Sequence, residues 1–422
     1  MEKKGYKKIF QRKSFVAYMV ANIINRFGDS LDSIAFTWIV YAITGNAFWS
    51  ALIFGVNRLP TIFLQPFVGV LADRFNKKWI VIITDCIRGF TVLFIALGVL
   101  GGWLTEWHLL AATLLISTAE AFRMPASSSM IPQLIDAEDY EYGISLNQGL
   151  GSTVELIGLA SSGLIIGLFG VVSAVFIDMI TFFLCAFIFL FIKLKPLEKN
   201  NQKEESYFTQ LKDGFQFVKG NSIIVYFLIL ALFLNAITSP FNSLQAPLVS
   251  EILKSGEIML SVVGASFAFG GIFGSLMFPF ANKYFSGPQF VKQAGIALVL
   301  MYLGPVVIGQ YVEVEWLKYI LTGVIGTIIG FEIGLINTYL SVMVMQKVKR
   351  EYLGRVQSIT HAVSVAATPV TAFITSIAVL YLSTQYIFII SGCIAIVAVF
   401  TICSKKFFHH MISDEDLKSL ES

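Results

Sequence analysis

Charge is what this sequence has least of. Lys, Arg, Asp and Glu make up 14% of its 422 residues, against roughly 25% in a soluble domain. Apolar residues make up 56%. That balance excludes a water-soluble globule. Reactive groups are also scarce, with four Cys and four His. Cys86, Cys185, Cys393 and Cys403 all fall in apolar runs without metal-ligand spacing, and they read as small packing residues. His108 lies in an expected outer loop and His409-His410 in the tail, neither with visible ligand partners, so no metal is expected. His361 reads either as part of a proton path or as a hydrogen-bonded structural residue. There is no His-Glu-x-x-His, no Gly-x-Ser-x-Gly and no phosphate-cradling Gly loop ending in Lys-Ser/Thr. The chain is therefore not expected to be an enzyme, to hold a cofactor or to be driven directly by nucleotide. The net charge of +3 arises from loops beside a membrane and implies no nucleic-acid partner. A cleavable signal is not expected either, because residues 15–43 are too long for a signal's apolar core.

What the chain has in quantity is long apolar runs. About 20 such residues cross a bilayer, and continuous rather than alternating runs select helices over a barrel. The expectation is an all-α membrane protein with twelve transmembrane helices near 15–43, 48–70, 79–101, 107–131, 144–168, 171–192, 221–246, 258–282, 289–310, 316–346, 354–381 and 385–403. Lys and Arg concentrate in cytoplasmic loops. With both termini inside, 24 of the 30 basic residues fall in inner segments, only Lys254 and Lys318 fall outside, and four lie within helices. The multi-pass chain is thus expected in the cell membrane with cytoplasmic termini.

The longest polar interruption, 193–220, reads as a cytoplasmic linker with an amphipathic helix carried by Tyr207, Leu211, Phe215 and Val218. It separates a bundle over 1–192 from one over 221–422. Weak internal echoes support the division: Asp139-Tyr140 with Glu351-Tyr352, Gly69-Val70-Leu71 with Gly274-Ser275-Leu276, and Lys78 with Lys283. Two pseudo-symmetric six-helix bundles form the transporter plan that permits alternating access.

A short charged hairpin, Gly69-Val-Leu-Ala-Asp73-Arg74-Phe-Asn-Lys77-Lys78, joins the second and third spans. It resembles the loop signature of the major facilitator superfamily. Phe122-Arg123-Met124-Pro125-Ala126 through Ile131-Pro132, and Arg26-Phe27-Gly28-Asp29 in the first span, resemble the macrolide-efflux and siderophore-exporter (transmembrane secretion effector) branch. Two departures are Asn76 where the signature usually has Gly, and Gly158-Leu-Ala-Ser-Ser-Gly163 where drug–proton antiporters usually carry Gly-Pro. The likeness implies the major facilitator fold and an exporter, and it does not name a substrate. It also makes the eleventh span, opening near Gly354-Arg355, the neighbour whose positive N-terminal dipole Asp73 would meet. The expected conformational latch is Gly69, Asp73, Arg74, Lys78, Asp85, Arg88 and Arg355. Lys77 and Lys78 are open to a second reading as positive-inside residues against anionic lipid.

Charges inside spans are costly and usually face a cavity, a partner or a pathway. Asn22, Asn25, Arg26, Asp29 and Ser33 fall within about 100° on one helix face, with Asp32 at its edge. Asp85 and Arg88, and Glu120 and Arg123, have the three-residue spacing of helical pairs. Asp178 is placed towards the outer end of its span, where it would be solvated. Seven carboxylates stand against four arginines in the spans, so at least one acid is left for proton work. The candidates are Asp29, Glu155 and Glu120, with Arg26, Arg58 and Arg123 as their partners, because a carboxyl group removed from water can load and release a proton near neutral pH. Six of the seven acids lie in the first half, which places coupling there. The second half reads as substrate wall, and with Asn22 and Asn25 the cavity set is Asn235, Ser239, Asn242, Glu332 and Asn337. A pocket rich in the chain's 38 Phe suits an amphiphilic organic molecule, and Glu332 or an aromatic face would hold a protonated amine.

The expected function is a secondary exporter of an amphiphilic organic compound, such as a drug or antibiotic, by proton antiport. A lysophospholipid or glycolipid flippase, or a siderophore or metabolite exporter, has the same fold and stays open. Small substrate, protons and the lipid bilayer are the expected partners, and the protein is expected to work as a monomer.

Overall fold

The computed structural model describes residues 6–74, 76–136, 139–194, 216, 219–347 and 353–402. Every regular element among them is helical. Apart from a single helical turn at Gln245–Pro247 and a π-helical one at Leu248–Ile252, these are in chain order α1 (Tyr6–Gln11), α2 (Lys13–Thr44), α3 (Ala47–Arg74), α4 (Lys77–Gly101), α5 (Glu106–Ser128), α6 (Ile131–Leu134), α7 (Tyr140–Phe169) and α8 (Val171–Phe191). There follow α9 (Ser222–Ser243), α10 (Glu257–Ala281), α11 (Gly287–Tyr311), α12 (Glu315–Lys347), α13 (Leu353–Ala378) and α14 (Thr384–Ile402). Among the described residues, nine helices are long and apolar enough to cross a bilayer. They are α3 to α5 and α7 to α12. The linker helix expected from Tyr207, Leu211, Phe215 and Val218 lies outside the described residues, as do Cys403 and His409-His410.

The chain falls into two compact units, Met1–Gly45 with Val56–Lys203, and Asn46–Gly55 with Glu204–Ser422. In the first unit α2 packs along α7 and α8, and α4 packs along α5 and α8. The shared core holds Phe15, Tyr18, Val81, Met130, Leu134, Cys185 and Phe189. Cys185 behaves as expected of a buried packing residue, and its thiol donates to the Ala21 carbonyl at 3.1 Å. The hairpin between α3 and α4 is short because Asn76, which departs from the usual Gly, caps α4 by accepting from the Lys78 N–H at 3.1 Å. His108 is likewise occupied in capping, with Nδ1 3.2 Å from the Thr105 amide at the start of α5.

In the second unit α10 lies against α12 at backbone contact. A Cβ at Gly270 would stand 2.1 Å from the Thr327 carbonyl oxygen, one at Gly274 2.0 Å from that of Phe331, and one at Gly330 2.2 Å from that of Phe267. Only glycine permits this approach, which is how helices pack tightly where lipid supplies no hydrophobic drive between them. A neighbouring core joins Tyr226, Phe278, Phe290, Leu335 and Tyr339. The outward faces carry exposed Phe90, Leu168, Phe191, Phe273 and Val397, as expected of helices whose solvent is hydrocarbon.

Candidate functional site

The polar face of α2 borders a cavity of about 640 Å³ within the first unit. Asn22, Asn25, Arg26, Asp29 and Ser33, the stripe legible in the sequence, all line it. Glu120, Arg123 and Met124 from α5 and Asn147, Glu155 and Leu159 from α7 complete much of the wall. Pro125 falls inside α5 and removes one backbone donor there, while its own carbonyl closes the helix by accepting from the Ser129 N–H at 3.0 Å and the Ser129 hydroxyl at 2.7 Å.

Behind this wall runs a chain of ion pairs. Arg88 of α4 donates from Nη2 to Asp29 Oδ1 at 2.6 Å, and its Nη1 stands 2.7 Å from Glu120 Oε2. The Asn25 amide supports the other oxygen, donating to Asp29 Oδ2 at 2.6 Å. The guanidinium carbon of Arg88 lies 4.1 Å from the centroid of the Phe182 ring, which fixes the plane of the group. Arg123 of α5 donates from Nε to Asp85 Oδ1 of α4 at 2.5 Å. The three-residue spacings Asp85/Arg88 and Glu120/Arg123 therefore do not become pairs along one helix. Each member pairs across to another helix, because α4 and α5 pack closely enough for the crossed contacts to form.

A fourth pair joins Arg26 Nη1 to Glu155 Oε2 at 3.2 Å across α2 and α7, with both side chains about half exposed. Arg58 is exposed on α3 and enters none of these ion pairs. Asp178 corrects the sequence reading. Expected to be solvated, it has no exposed surface, because the turn of α8 that carries it faces Gly28 of α2.

Of the expected latch, Gly69 carries no side chain, and the side chains of Asp73, Arg74 and Arg355 lie outside the described ones, as does that of His361. Lys78 is engaged at the end of α8, donating to the Leu190 carbonyl at 2.7 Å and the Ile192 carbonyl at 3.0 Å. A cation there meets the negative end of the helix dipole.

The residues expected to form a substrate wall in the second unit divide. Ser239 is buried and donates to the Thr368 carbonyl at 3.0 Å, tying α9 to α13. The Asn235 amide returns to the Ala231 carbonyl of its own helix at 2.9 Å. Asn242 and Asn337 are exposed, and Glu332 is half-buried, with Oε2 lacking a hydrogen-bond partner among the described residues. No group of three or more His, Cys, Asp or Glu suited to a metal ion occurs among the described residues.

Residues 8–329 match the model of a family described as transmembrane secretion effector. Among curated relatives, macrolide efflux protein A of Streptococcus pyogenes is 21% identical over 84% of this chain and 87% of its own length. A transporter of Bacillus subtilis named YvqJ, uncharacterised and of major facilitator type, is 24% identical over 61% of this chain and 63% of its own length. The putative bacilysin exporter BacE of Bacillus subtilis is 31% identical over 53% of this chain and 55% of its own. Among solved structures, the nucleoside transporter NupG aligns with a TM-score of 0.76 at 13% identity, covering 92% of this chain and 98% of that one. A bacterial homologue of the iron transporter ferroportin in its inward-facing state aligns with a TM-score of 0.67 at 13% identity, covering 93% and 99%. At such identities these structures share the fold.

Proposed function

From the premise that this chain belongs to the transmembrane secretion effector family of major facilitator transporters, we propose that it exports an amphiphilic organic compound in exchange for protons. The observation that carries this reading is the double position of Asp29, which borders the cavity and at the same time holds Arg88. A cationic substrate arriving at Asp29 competes with Arg88 for the same carboxylate. Substrate occupancy and the charge state of the buried network are thereby linked.

The cavity supports a small organic substrate by size and chemistry. Its volume of about 640 Å³ is within the roughly 300–1,000 Å³ of small-molecule sites. Its lining mixes Tyr18, Met124, Ile144 and Leu159 with Asn22, Asn147 and charged groups. The printed names of two relatives, a macrolide efflux protein and a putative bacilysin exporter, favour an antibiotic-like compound moving outward.

In this reading twelve spans cross the cell membrane as two six-helix bundles over 1–192 and 221–422, joined by a cytoplasmic linker, with both termini cytoplasmic. The monomer alternates between inward and outward openings. Asp73 and Arg355 latch the inner face, and Glu332, Asn242 and Asn337 extend the substrate wall, with Glu332 as a second partner for a protonated amine. Asp29, Glu120 and Glu155 are the acids at the cavity; Arg88 holds the first two and Arg26 the third, while Arg123 holds Asp85.

The test is proton release from acid-loaded everted vesicles containing the protein while erythromycin, tetracycline, ethidium, a ferric siderophore or lysophosphatidylcholine is added singly. A proton leak triggered by one compound and lost in Asp29→Asn is the expected result. A response to lysophosphatidylcholine alone would make the protein a lipid exporter. No response from folded protein would remove proton-coupled export of these classes.

A further inference from the structure

Arg88 has more donors than acceptors. Its two terminal nitrogens face Asp29 and Glu120, while its buried Nε has no hydrogen-bond partner among the described residues. Asp178 on α8 has the opposite deficit. It has no exposed surface, the Thr181 hydroxyl lies 3.4 Å from its Oδ1, and its Oδ2 has no partner among the described residues.

The surroundings of Asp178 are set by the packing of α2 on α8. A Cβ at Gly28 would stand 2.5 Å from Asp178 Oδ1 and 2.0 Å from Thr181 Oγ1, so the α2 backbone rests on this carboxyl group. Asp32 lies one turn beyond Gly28 on the same face of α2. The charged groups bearing on Asp178 are Asp32 and Asp29 from α2 and Arg88 from α4. From α7, which also packs on α8, Glu155 is held by Arg26. Among the described residues no cation stands within ion-pair distance of Asp32 or Asp178.

Five carboxylates, Asp29, Asp32, Asp85, Glu120 and Asp178, thus share two guanidinium groups, Arg88 and Arg123. Three of the five are paired. An ionised carboxylate with an orphaned oxygen in a dry helix interface is heavily penalised, and a proton removes that penalty.

We propose that Asp178, together with the partly buried Asp32, carries the exchanged proton, and that Arg88 is the switch between this acid pair and the cavity. With the pair protonated, Arg88 binds Asp29 and Glu120, which is the arrangement present here. When a cationic substrate takes Asp29, Arg88 turns its unused Nε towards the pair, and one proton leaves for inner water. After the substrate departs outside, a proton from outer water returns to the pair and Arg88 to Asp29. One cation and one proton exchange, and the buried charge is conserved. The exchange rests on the proton-coupled reading above; the protonated acid at Asp178 does not.

Infrared spectroscopy of the full-length protein in liposomes, without substrate, separates the two. The expected result is a carboxylic-acid carbonyl band at neutral pH that disappears in Asp178→Asn and shifts in Asp32→Asn. The second variant decides the matter where the first fails to fold. A band absent from the wild type, or unchanged in both variants, overturns the inference whatever the transport data show. Wild-type protein that shows the band yet moves no compound of the panel against its gradient would retire proton-coupled export and leave the Asp178 acid standing. For a transported compound, Asp178→Asn is expected to equilibrate it while losing gradient-driven accumulation. Accumulation at the wild-type level would remove Asp178 from the proton route.

Discussion

Arg123 Nε donates to Asp85 Oδ1 at 2.5 Å, and both side chains are almost wholly withdrawn from the surface. A buried pair of this kind is weak evidence for stability as such, because desolvation offsets much of the attraction. Removing one partner alone is different, since it strands a charge and costs roughly 3–5 kcal/mol.

Asp85→Ala and Arg123→Ala are accordingly expected to lower yield and thermal stability sharply when made singly. Asp85→Leu combined with Arg123→Met is expected to recover most of the loss. Melting of purified protein by tryptophan fluorescence reads the result, and a double variant as unstable as the singles would argue that the pair has a further role.

The Arg26–Glu155 pair is expected to behave otherwise. Both groups are about half exposed at 3.2 Å, so the ion pair is worth no more than about 1 kcal/mol. Glu155→Gln should leave melting nearly unchanged while raising the apparent KM for a cationic substrate, because Glu155 lines the cavity. A large drop in melting temperature without a change in KM would place Glu155 in the scaffold.

Asp29→Asn removes the carboxylate shared by Arg88 and the cavity. The isosteric amide still accepts a hydrogen bond from Arg88, so folding is expected to persist while uphill transport is lost. Counterflow with a compound identified in the vesicle panel distinguishes lost coupling from lost binding. A variant that still concentrates the compound would remove Asp29 from coupling.

Gly274→Ala is expected to weaken the second unit, because its Cβ would meet the Phe331 carbonyl oxygen at 2.0 Å and force α10 from α12. Overpacking of this sort typically costs about 1–3 kcal/mol. Gly323→Ala, whose Cβ would sit 3.6 Å from Val262 Cγ1, is the control expected to be neutral in the same melting assay.

Lys78→Met tests whether the basic pair of the hairpin moves or anchors. Losing two charged hydrogen bonds to the end of α8 should cost about 1.5–3 kcal/mol per bond at most, with turnover per folded molecule unchanged. Asp73→Asn, by contrast, is expected to slow the transport cycle. Unaltered turnover in Asp73→Asn would end the latch proposal.

Helical class, membrane residence and family were legible from the chain because hydrocarbon leaves few options. A long uncharged run must satisfy its backbone internally, and a charged hairpin between two such runs is conspicuous. The α2 polar stripe was legible for a related reason: helical periodicity alone places Asn22, Asn25, Arg26, Asp29 and Ser33 on one face, and the cavity is found there.

Which charges meet was settled by tertiary packing. Spacing along one helix suggested Asp85 with Arg88 and Glu120 with Arg123, yet the approach of α4 to α5 exchanges the partners. Asp178 was placed near water by its position in the run, and it is buried because Gly28 lets α2 close over it. Ser239, expected to face substrate, instead ties two helices together. Period and composition determine which face of a helix is polar. The rotation and separation of neighbouring helices, set by glycine contacts and core side chains far apart in sequence, decide whether that face finds a cavity, a counter-ion or a buried interface.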